Sequence, residues 1–212
     1  MENIIEVNQV TKQFRETLAL QDVSVSFEKQ KIHGIIGRNG SGKTVLFKCI
    51  CGLMYPDHGE VNVRGKTVGK DIDIPKGIGS IIEAPGFLPN YSGMKNLQFL
   101  AGINRTIDKK RMAESMVLVG LDPENKKRVG KYSLGMRQRL GLAQAIMEHP
   151  DILILDEPMN GLDKEGVKEI RDLLLKLNSL GATILLASHN KEDIDTLCDT
   201  VLEMDKGQIV GQ

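Results

Sequence analysis

Apolar and polar residues alternate through IIEVNQV near the N-terminus and again through VSVSF. That period of two predicts a pair of half-buried antiparallel strands. KIHGIIG is more continuously apolar, as expected of a central strand covered on both faces. After a glycine-rich turn, TVLFKCICGL takes up helical spacing and predicts a helix ending near Gly52. GEVNVRGKTV reads as a hairpin and GIGSII as a further strand. From about Gly93 to His149 the spacing is helical again, in GMKNLQFLAGI, DKKRMAESMVLVGL and GMRQRLGLAQAIMEH. These predict a helical lobe inserted into a sheet domain. The strand pattern resumes in DILILDEP. A helix from about Lys164 to Leu180, the strand ATILLAS and a hairpin in TVLEMDKGQIV, turning at Asp205–Gly207, complete the chain. Strands alternating with helices predict an α/β fold with a largely parallel sheet.

Composition narrows the partners. Lys and Arg number 28, against 28 Asp and Glu, so the balance offers no basic footprint for nucleic acid or an anionic membrane. No apolar run approaches the roughly 20 residues that span a bilayer. The start, MENIIEVNQV, is acidic and alternating, unlike a signal peptide. A cytoplasmic location is expected. Cys49 and Cys51 are too close for an ordinary disulfide and lack a second ligand pair for zinc. With Cys198, they read as small packing residues.

The candidate chemistry begins at GIIGRNGSGKTVLF, where Gly37-x-x-x-x-Gly42-Lys43-Thr44 has the phosphate-loop pattern between a strand and a helix. Glycines let successive backbone N–H groups turn around an anion without Cβ clashes. The helix that follows adds free amides and the positive end of its dipole. Gly37, Arg38, Asn39, Gly40, Ser41, Gly42, Lys43, Thr44 and Val45 are the expected nucleotide-binding residues. Lys43 would reach the β- and γ-phosphates, and the Thr44 hydroxyl would ligate Mg²⁺.

DILILDEP ends a buried strand with Asp156 and Glu157. Open α/β sheets bind ligands at that carboxyl edge. Asp156 is expected to hold Mg²⁺, and Glu157 to orient or deprotonate an attacking water. His189 ends another apolar strand, TILLASH, at the same edge, where it would meet the γ-phosphate or the water. Thr44, Asp156 and Glu157 together point to nucleotide hydrolysis rather than binding alone.

GRNGSGKT, IIEAPGF, YSLGMRQRL, ILILDEP, MNGLD and ASH, in this order, resemble the motifs of the ATP-binding cassette (ABC) ATPases of ABC transporters over nearly the whole chain. The resemblance implies a P-loop NTPase core with a mostly parallel sheet, an N-terminal antiparallel β subdomain and an inserted α-helical subdomain. It implies one domain over residues 1–212. Residues 1–90 and 150–212 form the ATP-binding core, and about 91–149 form the helical subdomain that carries the signature segment. It further implies two ATP molecules with Mg²⁺ sandwiched between two such subunits, either two copies or a copy and a paralogue. Ser133 and Gly135 would then contact the nucleotide in trans, and Asp163 the opposite subunit. Phe14, amid polar KQFRET, stands at the spacing where the family has an aromatic that stacks on adenine.

The chain departs from the family's pattern in places. The usual Leu-Ser-Gly-Gly-Gln reads Tyr132-Ser133-Leu134-Gly135-Met136, and the loop that usually carries glutamine carries Glu83, an additional oxygen donor for the metal. Glu83 with APGFLPNYSG resembles the bacitracin- and lantibiotic-type export ATPases. This implies an ATPase driving export of a peptide antibiotic or other amphipathic compound through a separate transmembrane permease, with the chain peripheral on the inner face of the membrane. PGFLP would either present Phe87 and Leu88 for docking or fold them under the helical lobe. The alternative function is a soluble ABC ATPase that remodels a cytoplasmic complex. A P-loop small-molecule kinase would have no need of Ser133, Gly135, Glu157 and His189 in this order.

Overall fold

A computed structural model describes residues 2–104 and 107–211. Two long strands open the chain, β1 (Asn3–Phe14) and β2 (Thr17–Glu28), paired antiparallel. The central strand β3 (Ile32–Ile36) leads into helix α1 (Lys43–Ile50), which ends just before Gly52, where a φ of 71° reverses the chain. The hairpin β4 (His58–Val63) and β5 (Lys66–Thr67) follows, then β6 (Ile78–Ile81). Three helices come next: α2 (Gly93–Asn104), α3 (Lys109–Leu118) and α4 (Leu134–Ile146). The chain returns through β7 (Ile152–Asp156), α5 (Lys164–Ser179) and β8 (Thr183–Ala187), then α6 (Lys191–Leu197), β9 (Thr200–Asp205) and β10 (Gln208–Gly211).

The strands form two sheets. β2-β1-β4-β5 is antiparallel, and β10-β9-β3-β8-β7-β6 is parallel except for its terminal β9–β10 hairpin. The central strands are mostly apolar because both their faces are covered. Along β7, Leu153 and Leu155 enter a core shared with α2, α3, α4 and α5. Ile152 and Ile154 enter the core on the other face, shared with α1 and the antiparallel sheet. The period-two pleat thus divides one apolar run between two cores.

Helix α4 lies directly on the parallel sheet. A Cβ at Gly79 of β6 would stand 1.9 Å from the Ala145 carbonyl oxygen, and one at Gly141 would stand 2.8 Å from Pro85. Gly79 lets helix and sheet backbone touch, and Gly141 makes room for the Pro85 ring of the loop after β6. Phe87 packs against the helical core while Leu88 stays 48% exposed, so the PGFLP pair is split between the two expected arrangements. Cys49 and Cys51 are buried, and the Cys198 sulfur lies over Gly34, where a Cβ would come within 2.8 Å. All three are packing residues with free thiols. Among the described residues, no helix is long and apolar enough to cross a membrane.

Candidate nucleotide site

The loop between β3 and α1 has Gly37, Gly40 and Gly42 at φ 148°, 80° and 107°. A Cβ at Gly37 would collide with the Met204 carbonyl oxygen, and one at Gly42 with that of Ala19. These two glycines are therefore required by both conformation and close approach. Gly42 caps α1 without any side-chain bond. The first amides of the helix, on Lys43, Thr44 and Val45, have no intrahelical acceptor and are available to an anion. Lys43 is buried, and its Nζ donates to the carbonyls of Gly37 at 2.7 Å and Arg38 at 3.1 Å. Arg38, Asn39 and Gly40 are exposed on the loop, whereas Ser41 is buried and its hydroxyl has no partner among the described residues. A flexible sequence is here folded into an amide-lined, cation-bearing cradle.

The carboxyl ends of β7 and β8 bring the remaining chemistry alongside. Thr44 Oγ1 donates to Asp156 Oδ2 at 2.7 Å, linking α1 to the end of β7. Glu157 follows at φ 52°, with its N–H donating to the Ala187 carbonyl. That left-handed turn is costly for a residue with a Cβ and redirects the side chain from the strand. Its Oε2 lies 2.8 Å from His189 Nδ1. The imidazole is 75% exposed, and the Glu157 carboxylate 28%. A hydroxyl, two carboxylates and an imidazole therefore meet at one sheet edge. Hard oxygen donors on Thr44 and Asp156 suit Mg²⁺, which keeps several waters and uses few protein ligands.

Glu83 also has a positive φ, 62°, and its carboxylate is bound by Lys48 at 2.7 Å. Phe14 ends β1 at the tip of the β1–β2 hairpin, 43% exposed, with Lys12 Nζ 5.7 Å from its ring centroid. Its exposure matches the expectation drawn from its polar neighbours.

Ser133, Gly135 and Asp163 converge on a second surface. Ser133 caps α4, its Oγ accepting from Met136 N at 3.2 Å, and Asp163 caps α5 by accepting from Gly166 N at 3.0 Å. The two caps are neighbours, because a Cβ at Gly135 would stand 2.8 Å from the Gly161 carbonyl oxygen. Both Ser133 and Asp163 are exposed. Helix α4 also reaches the carboxyl edge of the sheet through Gln138, whose Nε2 donates to the Glu157 carbonyl at 3.1 Å. Gln138 and Lys48 contribute to these contacts without any local sequence pattern that marks them.

Comparison with known proteins gives the family and the fold. The ABC transporter family model matches residues 20–160. The uncharacterized ABC transporter ATP-binding protein YybJ of Bacillus subtilis is 45% identical over 206 residues, covering 97% of this chain and 94% of that protein. The bacitracin transport ATP-binding protein BcrA of Enterococcus faecalis is 42% identical, covering 99% of this chain and 69% of BcrA. Among solved structures, the dimeric bacterial ABC transporter cassette MJ0796 superposes with a TM-score of 0.88 at 23% identity, over 98% of this chain and 97% of that one, which shows the shared fold. The chain belongs to the ABC transporter family, as an ATP-binding ATPase subunit.

Proposed function

We propose that this subunit closes on ATP as a two-subunit sandwich and reopens on hydrolysis, driving export of a peptide antibiotic or a similar amphipathic compound through a separate transmembrane permease. Residues 1–212 act as one ATPase domain, with a core of 1–90 and 150–212 and a helical subdomain of about 91–149. The observation that carries the reading is the Glu157–His189 contact of 2.8 Å beside the Thr44–Asp156 pair. The similarity to BcrA supports the export of a peptide antibiotic.

In this reading Phe14 stacks on the base, while the loop amides from Gly37 to Val45 and the Lys43 ammonium bind the phosphates. Thr44, Asp156 and, once released by Lys48, Glu83 would hold Mg²⁺, which neutralises phosphate charge when bound. Glu157 accepts a proton from the attacking water, and His189 holds Glu157 and the water in line. Ser133, Gly135 and Asp163 of one subunit meet the nucleotide and the loops of the other. Two facing helix N-termini make closure depend on an anion between them. Loss of the γ-phosphate removes that attraction. The chain sits on the inner face of the membrane through its permease.

The test is purification of tagged Glu157→Gln from its native host in Mg-ATP. Its ATP turnover should fall by about 10²–10⁴-fold with ATP binding retained, and a polytopic membrane protein should accompany it in stoichiometric amount. Soluble partners alone, with none lost to detergent, would replace export by remodelling of a cytoplasmic complex.

A further inference from the structure

The turn that carries His189 is fixed by hydrogen bonds, while the imidazole itself is 75% exposed and touches Glu157. Ser188, buried at the end of β8, donates from Oγ to Asp193 Oδ2 at 2.9 Å and accepts from Asn190 N at 3.1 Å. Asn190 accepts from Glu192 N through its side chain at 2.9 Å and from Asp193 N through its carbonyl at 3.1 Å. Asp193 is 2% exposed. A carboxylate this buried needs a partner, and Arg171 of α5 supplies it. Its Nε donates to Asp193 Oδ1 at 2.9 Å, its Nη2 meets the same oxygen, and its Nη1 binds Glu192 at 2.9 Å.

We propose that Asp193, locked by Arg171, is the positioning residue that aims His189 at Glu157 and the nucleotide. The proposal rests on the catalytic reading of His189. A helix tie alone would need one carboxylate oxygen, the one Arg171 takes. The other oxygen goes instead to the hydroxyl of the residue immediately before His189. The route also has a direction. Arg171 belongs to the helix that Asp163 caps, so a single guanidinium joins the helix starting at the subunit-facing aspartate to the turn bearing the histidine. An exposed imidazole on an unclamped turn would sample many orientations, and displacement of a reacting group by about 1 Å can cost about 10²-fold in rate.

Steady-state ATP turnover of the full chain, with kcat and KM separated, tests this in Ser188→Ala and Asp193→Ala, each alone and combined with His189→Ala. Asp193→Ala should lower kcat by about 10–100-fold, and Ser188→Ala by less, both with KM for ATP unchanged. Neither should lower kcat further once His189 is gone. Equal losses with and without His189 would overturn the proposal, as would wild-type kcat in Ser188→Ala and Asp193→Ala beside an impaired His189→Ala. Ser188→Ala removes one hydroxyl and keeps the test valid should Asp193→Ala fail to fold. Wild-type turnover in His189→Ala itself would remove the catalytic reading together with the proposal, an outcome distinct from the other two.

Discussion

The Lys48 ammonium lies 2.7 Å from the Glu83 carboxylate, joining the helix of the phosphate loop to the turn after β6. Lys48 stands one turn beyond Thr44 on α1. Where the family usually carries a neutral glutamine, this chain carries a charge and its counter-charge. The pair is half open to water, with Glu83 64% exposed, so its energetic weight is modest and salt-dependent.

Removing Lys48 leaves Glu83 as an uncompensated negative charge beside the phosphate cradle. Lys48→Ala should weaken ATP binding by about 2- to 5-fold at low salt, and the double variant with Glu83→Gln should recover it. Equilibrium ATP titration at two salt concentrations reads both effects. A double variant as weak as Lys48→Ala would show that Lys48 acts through something other than charge pairing.

Ser133 caps α4, and the proposed sandwich gives it a second, separable duty as phosphate ligand. Aspartate caps a helix as well as serine does, yet its charge repels a phosphate. Ser133→Asp should keep the thermal stability of the chain and its affinity for ATP as a monomer. In the Glu157→Gln background it should abolish the ATP-dependent dimer on gel filtration with light scattering. Dimers persisting with ATP would exclude Ser133 from the trans contact.

Burial pushes the Cys49 thiol up to about 11, the Cys51 thiol up to about 12 and the Cys198 thiol up to about 12. At pH 8 the native chain should therefore react with iodoacetamide at Cys49 and Cys51 about 10²-fold or more slowly than the denatured chain. Mass spectrometry after timed quenching gives both rates. Equal rates would mean that α1 opens readily.

Burial also holds the His33 ring below the usual imidazole range, against the opposing bond to the Glu28 carbonyl. The unfolded chain then takes up a proton more readily than the folded one. Stability from this group is complete above about pH 6.5 and is lost as the pH falls through the folded value. Denaturant titrations should show less loss of stability between about pH 6.5 and 5 for His33→Gln than for the parent. Parallel curves would assign the acid sensitivity to other groups.

Much of the nucleotide edge is legible in sequence because each piece is local. The loop from Gly37 to Thr44 and the acidic end of β7 are short contiguous patterns, and the polar setting of Phe14 indicates its exposure. Helix α6 is not legible from periodicity. KEDIDTL has seven residues, four of them charged, and its start and stop lie in Asn190 and Cys198 rather than in an apolar stripe. The clamps are harder still. Lys48 finds Glu83 across 35 residues, Arg171 finds Asp193 across 22, and Gln138 finds Glu157 across 19. Such pairs exist because the sheet order brings strand ends together, and nothing in the flanking residues records the partner.

The contact between Gly79 and the Ala145 carbonyl has a mechanical consequence. With no side chain to compress, it is a hard fulcrum under one end of α4, and Ser133 sits at the far end of the arm. Twelve residues of helix make that arm about 18 Å long, so a tilt of about 10° swings Ser133 by about 3 Å. That travel is the whole length of a hydrogen bond. In the proposed sandwich, a slight roll of the helical lobe at the sheet would be enough to engage or abandon a phosphate oxygen at its tip.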